Sequence, residues 1–498
     1  MYKPFRLFVL FIVLLLINFY ACNNNLENYS TNPQDILSFS VDTLSFDTVL
    51  TTVNSPVLSF MVYNKNSKPL LISSVQLAEG TNSDFKINVD GMAGSTFENV
   101  EILAKDSLLV LVNVTPKGNG QYTPTVFNDN IVFETNGVQQ QVVLEGYGQD
   151  VYTWRGVTLS SDSVLDNKKP YLIYDSLVID KGATVEMDEG SVFYMYNNAA
   201  LIVNGTVKMK GTVENPVVFR GSRTDYMLTI PYDLIPGQWG GIYFAPESYD
   251  NDLENVRIRN GTYGMNLDVC TDPSRSKLTM MNVVLTNVSG TLLQAVNCNI
   301  TAENCEFSNA NGALLNIVGG SSRFTQCTIA NYYPYNPQIG WVNSDNTTLI
   351  LSDAVWNSAG GMDDYPVISA EFDNSIIWGA KYASTSAIQV NQFSTDTPIP
   401  YLFKNCLIPN GKPDSTQVIN CIFLDTDSLL FMKTDANDWV NNSWYPSFDF
   451  HLQKNSPAKD VADYTIAAQI PYDMDGYYRL TDGKPDLGAY EQHGEGGG

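Results

Sequence analysis

The stretch Asn255-Val-Arg-Ile258-Arg-Asn260 sets a pattern that the chain repeats: Asn, two residues, a large apolar residue, one residue, Asn. It returns as Asn282-Val-Val-Leu285-Thr-Asn287, Asn304-Cys-Glu-Phe307-Ser-Asn309, Gln326-Cys-Thr-Ile329-Ala-Asn331 and Asn405-Cys-Leu-Ile408-Pro-Asn410. Asn374-Ser-Ile-Ile377 and Asn420-Cys-Ile-Phe423 are partial copies. The steps between first positions are 27, 22, 22, 48, 31 and 15 residues. A repeat near 22 residues, with one short strand and one Asn per copy, marks a solenoid. Each coil is too small to bury its own apolar face, so coils stack. The apolar residue three places after the first Asn is expected to point into the bore. The Asn suits a bend between strands, because it tolerates left-handed backbone and its amide can hydrogen-bond from coil to coil. The 48-residue step predicts two coils, or one coil with a long loop.

Strand patterning resumes upstream of this ladder after Trp154, with Leu177-Val-Ile179, Gly190-Ser-Val-Phe193, Leu201-Ile-Val203 and Val217-Val-Phe219. The segments Glu214 to Phe219 and Trp239-Gly-Gly-Ile242 resemble the opening coils of right-handed parallel β-helix proteins, the pectate-lyase-like superfamily. The likeness runs from Trp154 to Glu491 and implies a rod of on the order of 10 to 13 coils, ~50–60 Å long at the usual strand spacing. Near the end, Ser456-Pro-Ala458, Asp473-Met-Asp475-Gly476, Arg479 and Asp486-Leu-Gly-Ala-Tyr-Glu491 resemble the closing segment of bacterial surface β-helix proteins. That resemblance implies a cap on the last coil.

From Ile36 to about Gly148 short alternating runs such as Leu58-Ser-Phe60-Met-Val62 and Phe85-Lys-Ile87-Asn-Val89 are separated by turn signals such as Asp90-Gly91 and Asn136-Gly137. Roughly seven strands in about 110 residues predict an immunoglobulin-type β-sandwich. Leu144-Glu-Gly-Tyr-Gly148 resembles the last strand of Ig-like modules on bacterial envelope proteins. A spacer and cap for the solenoid is the role expected of it. At the start, Lys3 and Arg6 precede the apolar run Leu7 to Ile17, which reads as a secretory signal and is short for a membrane span. Ala21-Cys22 resembles the lipobox of bacterial lipoproteins, with Phe19 in place of the usual Leu. In that family the Cys carries the lipid, which places the protein at the outer membrane or cell surface. The expected organisation is a signal peptide at 1–21, a tether at 22–35, an Ig-like β-sandwich at 36–150, a right-handed parallel β-helix with its cap at 151–492, and a flexible tail at 493–498. The fold class is all-β.

Composition narrows the function. The 498 residues carry 28 Lys plus Arg against 53 Asp plus Glu, a formal charge of −25. Nucleic acid is therefore a poor partner overall, and neutral glycans, cations or basic proteins are easier to accommodate. With only His451 and His493, histidine-based acid–base chemistry and His-rich metal sites are disfavoured. Six cysteines lie beyond Cys22: Cys270, Cys298, Cys305, Cys327, Cys406 and Cys421. An even count in a secreted chain suggests disulfides. Cys305 and Cys327, however, hold equivalent places one coil apart, where side chains run parallel and fit the disulfide dihedral poorly. The expectation is a column of small buried apolar side chains.

No catalytic set, metal site or cofactor is expected. Asp363, Asp364 and Asp373 could form a glycosidase pair, but a solvated loop is the preferred reading. The Arg and Asp-His motifs of the lyases that this resemblance implies are missing, as are the Asp-rich and Gly-His-Gly motifs of the related pectin hydrolases; a lone Lys base stays open. Asp473-Met-Asp475-Gly476 begins like a calcium loop, yet Lys484 stands at the twelfth place where Glu is needed, so a structural turn is expected. The best binding candidates are Tyr332, Tyr333, Tyr335 and Trp341, in the longest gap of the ladder, since aromatic rings offer flat apolar faces to sugars. The expected function is a non-catalytic envelope lipoprotein, held to the membrane by its N-terminal lipid, that binds polysaccharide or a surface protein. The alternative is a polysaccharide lyase or glycoside hydrolase on the same rod. Cys22→Ala should move the protein from the membrane to the soluble fraction; an unlipidated mature N-terminus elsewhere, read by mass spectrometry, would contradict the anchor.

Overall fold

A computed structural model describes residues 29–227, 230–333, 347–379, 387–393, 398–410, 415–426, 429–434, 437–438, 443–444 and 447–493. Cys22, Tyr335, Trp341, the signal segment and the stretch 494–498 lie outside them. The chain forms two compact units, Met1–Asp150 and Val151–Gly498. Among the described residues no helix is long and apolar enough to cross a membrane.

The first unit is a β-sandwich of two five-stranded sheets. One sheet orders Ser38–Phe39, Leu58–Tyr63, Ser107–Val114, Phe85–Val89 and Met92–Gly94. The other orders Thr43–Leu50, Val138–Gln149, Thr125–Thr135, Leu70–Leu77 and Thr96–Ile102. Period-two alternation sends Phe60, Val62, Val110, Ile131, Phe133 and Leu144 into the core between them. The Asn136-Gly137 turn joins its two longest strands, with both residues at positive φ as a tight hairpin requires. Pairing is antiparallel except between Thr43–Leu50 and Val138–Gln149, which run parallel. The stretch 29–35, expected as tether, is held on this unit: Ser30 N–H donates to Pro69 O at 2.9 Å and Asn136 Nδ2 to Asn32 O at 3.0 Å.

The second unit is a 26-stranded parallel sheet wound into a β-helix. Every first-position residue of the ladder, Asn255, Asn282, Asn304, Gln326, Asn374, Asn405 and Asn420, has left-handed backbone with φ between 46° and 56°. The bend turns the chain so that the residue three places on enters the bore. Ile258, Leu285, Phe307, Ile329, Ile377 and Ile408 are all buried in one core and stand in register on successive coils. Phe423, on the last strand of the sheet, is 45% exposed because no further strand of that sheet covers it. The amides also link coils: Asn255 Nδ2 donates to Gly211 O at 3.1 Å, Asn282 Nδ2 to Asn255 Oδ1 at 3.1 Å, and Asn304 Nδ2 to Asn282 Oδ1 at 2.6 Å. Aromatic rings stack inside the bore, Phe193 on Phe219 at 4.5 Å and Phe324 on Phe372 at 5.1 Å. The 48-residue step is one coil, since Thr328–Asn331 pairs directly with Ile376–Gly379. Part of its extra length is a hairpin, Ala354–Trp356 with Met362–Asp364.

Two expectations need correction. Cys270 and Cys298 form a disulfide, with Cα atoms 5.3 Å apart. They do not occupy equivalent ladder places, so the parallel-side-chain argument does not apply to them. Cys305, Cys327 and Cys406 are free and buried, as read. The described residues of the closing segment, expected as a cap on the last coil, lie along the side of the rod. Arg479, fully buried, donates to Asn304 Oδ1 and, at 2.7 Å, to Glu491 Oε1. Gln326 Nε2 donates to Asp486 O at 3.2 Å, and Asn374 Nδ2 to Asp463 O at 2.9 Å. Thus the ladder amides, having linked three coils, turn outward to hold the C-terminal chain. Gly488 passes so close that a Cβ there would stand 2.6 Å from Thr328 Oγ1. Beneath this segment a second core joins Ile376, Trp378 and Leu407 to Phe431, Phe450, Leu487 and Tyr490.

Phe307→Ala should destabilise the rod by about 3–5 kcal/mol through the cavity it leaves. Phe307→Asp should prevent folding, since it buries an unpaired charge. A urea midpoint equal to wild type for either variant would show that the inward register is wrong.

Candidate functional site

Strands alternate, so an inward residue at the third place puts the second and fourth places on the outside. On the face that follows the Asn bends, one outer row runs Val218, Arg257, Val284, Glu306, Thr328, Ile376, Leu407. In the neighbouring row Tyr194 pairs with Arg220, and Thr286 with Ser308, which is followed by Ala330 and Trp378. The face therefore changes character along the rod. Its C-terminal half is apolar and lies under the closing segment. Its N-terminal half carries arginine and tyrosine.

Five of the nine arginines of the chain, Arg155, Arg220, Arg223, Arg257 and Arg259, gather on or beside this half. The guanidinium of Arg155 lies 3.7 Å over the ring of Tyr174, which meets Tyr196 at 4.6 Å. Arg220 lies 5.5 Å from the ring of Tyr194, and Arg223 3.6 Å from that of Tyr232. The insert between Gly221 and Trp239 folds back through a short turn, Tyr232–Leu234, fixed by Asn260 Nδ2 donating to Asp233 O at 2.7 Å. This delivers Asp233 between two arginines: Arg259 Nε at 2.7 Å and Arg220 Nη2 at 3.2 Å. Two guanidinium groups share one carboxylate, which leaves a positive excess. Burial and the neighbouring Arg259 lower the Arg220 pKa, against the pull of Asp233. Among the described residues Arg155 and Arg257 have no carboxylate partner; Arg257 donates to Asn282 O at 2.9 Å. The chain's overall negative charge thus does not describe this strip.

The strip meets the closing segment at Glu306. Its carboxylate accepts from Ser308 Oγ at 2.6 Å and from Tyr490 Oη at 2.5 Å. Burial, with Glu306 next, holds the Tyr490 phenol well above its usual range. Here a cavity of about 570 Å³ opens, lined among others by Glu306, Met432, Lys433, Asp449, His451 and Tyr490. His451 bridges two carboxylates, Nδ1 to Asp449 at 2.6 Å and Nε2 to Asp475 at 2.7 Å, which raise its pKa from 6.5 to about 10. Asp473, beside it in sequence, is buried and accepts backbone N–H bonds from Asp475, Tyr477 and Glu491. That is the structural turn the sequence suggested.

The residues singled out from sequence lie elsewhere. Tyr332 and Tyr333 are only 7% and 5% exposed, and Tyr332 packs on Phe431 and Phe450 in the second core. The Tyr332 ring meets the protein's own side chains, and both tyrosines are buried, so neither offers a flat face to solvent. Asp363 accepts from Asn357 Nδ2 at 2.9 Å on the hairpin, and Asp373 is buried against Arg323 at 3.1 Å. Asp364 lines a separate cavity of about 210 Å³ with Asp353, Val367 and Pro398. The missed strip had a signal: in Asn255-Val-Arg-Ile258-Arg-Asn260 both arginines flank the inward Ile and so must face out.

No family model and no curated protein matches the chain. Solved structures that align with parts of it include an ASH/PapD-like domain of human CEP192 (PapD-like domain 7), at 10% identity and a TM-score of 0.17 over 26% of this chain and 96% of that one. A family 123 glycoside hydrolase from Clostridium perfringens aligns at 12% identity and 0.16, over 23% and 26%. The VesB protease of Vibrio cholerae aligns at 13% and 0.17, over 24% and 33%. At such TM-scores these likenesses carry no argument.

The His451 bridge has a definite sign. Its folded pKa is raised, so its stabilisation is complete below about pH 6.5 and is lost as pH rises through about 10. The melting temperature of wild type relative to His451→Gln should therefore shrink from pH 6 to pH 10. A constant difference would show that the bridge does not carry charge.

Proposed function

We propose that the chain is a lipid-anchored protein of the cell envelope whose rod binds glycans without cleaving them, and that acidic glycans are the ligands its uncovered face favours. The observation that carries this reading is the arginine–tyrosine strip with its shared Asp233. Guanidinium groups match carboxylates in geometry and charge, and tyrosine rings suit sugar faces. Neighbouring coils lie about 4.8 Å apart, close to the advance of one sugar in an extended chain, so each coil can meet one residue of the polymer. The enzyme alternative, a lyase or hydrolase, ranks second. Two of the carboxylates it would use are already committed, Asp363 to Asn357 and Asp373 to Arg323.

Arg257→Ala should weaken binding of a soluble polyuronate about tenfold in calorimetry, equal to roughly 1.4 kcal/mol, with the melting temperature lowered only slightly by loss of its bond to Asn282 O. Added salt should weaken the wild type too. Unchanged affinity in Arg257→Ala, and in an Arg220→Ala, Arg259→Ala double variant, would defeat the strip. New reducing ends or unsaturated sugar products would establish the enzyme reading instead.

A further inference from the structure

The strip is open toward the N-terminal coils and closed at Glu306. Past that point the same outer rows, Thr328, Ile376 and Leu407 in one and Ala330 and Trp378 in the other, are covered by the closing segment. A polymer lying along the strip therefore meets a wall, and at the wall stands the cavity beside Glu306. Its volume of about 570 Å³ falls inside the roughly 300–1,000 Å³ of small-molecule sites. Its lining suits a sugar ring. Glu306 is itself buried, and each of its oxygens takes one protein hydrogen bond, leaving acceptor capacity for a hydroxyl. Asp449, paired with His451, adds a second acceptor, Lys433 adds positive charge, and Met432 and Phe450 supply apolar surface.

We infer that this cavity holds the terminal residue of the glycan, so that the protein recognises chain ends and the strip reads only the few sugars behind them. The inference rests on the glycan reading above. It makes the site blind-ended: about seven sugars, one per coil from Arg155 to Glu306, fill it.

The test uses the full-length protein and one acidic polysaccharide, polygalacturonate, broken to different degrees by random partial acid hydrolysis. Calorimetry then counts binding sites per unit mass of glycan. End recognition requires sites per mass to rise in proportion to the number of ends, and the affinity of single-length oligosaccharides to level off at about seven residues. Constant sites per mass across the series would overturn end recognition and leave the glycan reading intact. No binding by any fraction, or by neutral or sulfated glycans, would overturn both. Ser447→Trp, which fills the cavity, should cut oligosaccharide affinity at least tenfold while Arg257 and the strip stay in place. Equal affinity in that variant, with an unchanged melt, would also overturn the cavity's role.

Discussion

The second unit depends on one constraint: at every coil from Asn255 to Asn420 the chain must pass through a left-handed bend without strain. Asn accepts that conformation at lower cost than most residues with a side chain, and Gln326 shows that the carboxamide matters as well as the small size. The bend fixes which residues face the bore, and the carboxamide then fixes the stacking of one coil on the next. In Asn255, Asn282 and Asn304 it reaches the previous coil; in Gln326 and Asn374 it reaches a different part of the chain. One residue type thus both winds the rod and fastens what lies beside it.

That double use explains what the sequence revealed and what it hid. The inward register was legible because it depends only on spacing from the Asn. Ile258 through Ile408 follow from a period that any reader of the chain can count. The path of the closing segment was not legible. Arg479 and Asn304 are 175 residues apart, and no local pattern signals that a buried guanidinium will meet a bend amide. The disulfide was hidden for a related reason: Cys270 and Cys298 lie outside the repeated motif, so the argument drawn from Cys305 and Cys327 did not reach them.

The candidate site shows the same division. Aromatic residues at an interruption of the ladder suggested an exposed platform. Tyr332 instead joined the second core, because the outer face there is apolar and needs cover, and Tyr333 beside it is buried. Two of the arginines, Arg257 and Arg259, were visible within the repeat itself, but a charge balance taken over the whole chain concealed them. On a rod whose outer rows extend across many coils, charge separates along the length, and the sum over 498 residues says little about any one row.

The buried Arg479 has a consequence for how the molecule is made. Chains are synthesised from the N-terminus, and coils with partners close in sequence can wind early. The bend at Asn304 completes its bonding only when residue 479 arrives, and Thr328 receives Ala489 N–H only ten residues after that. The middle coils are thus wound early and sealed late. A chain cut short before this point keeps its bore but exposes Ile376, Trp378 and Leu407 as one apolar row, the kind of surface by which proteases and chaperones tell unfinished proteins from finished ones.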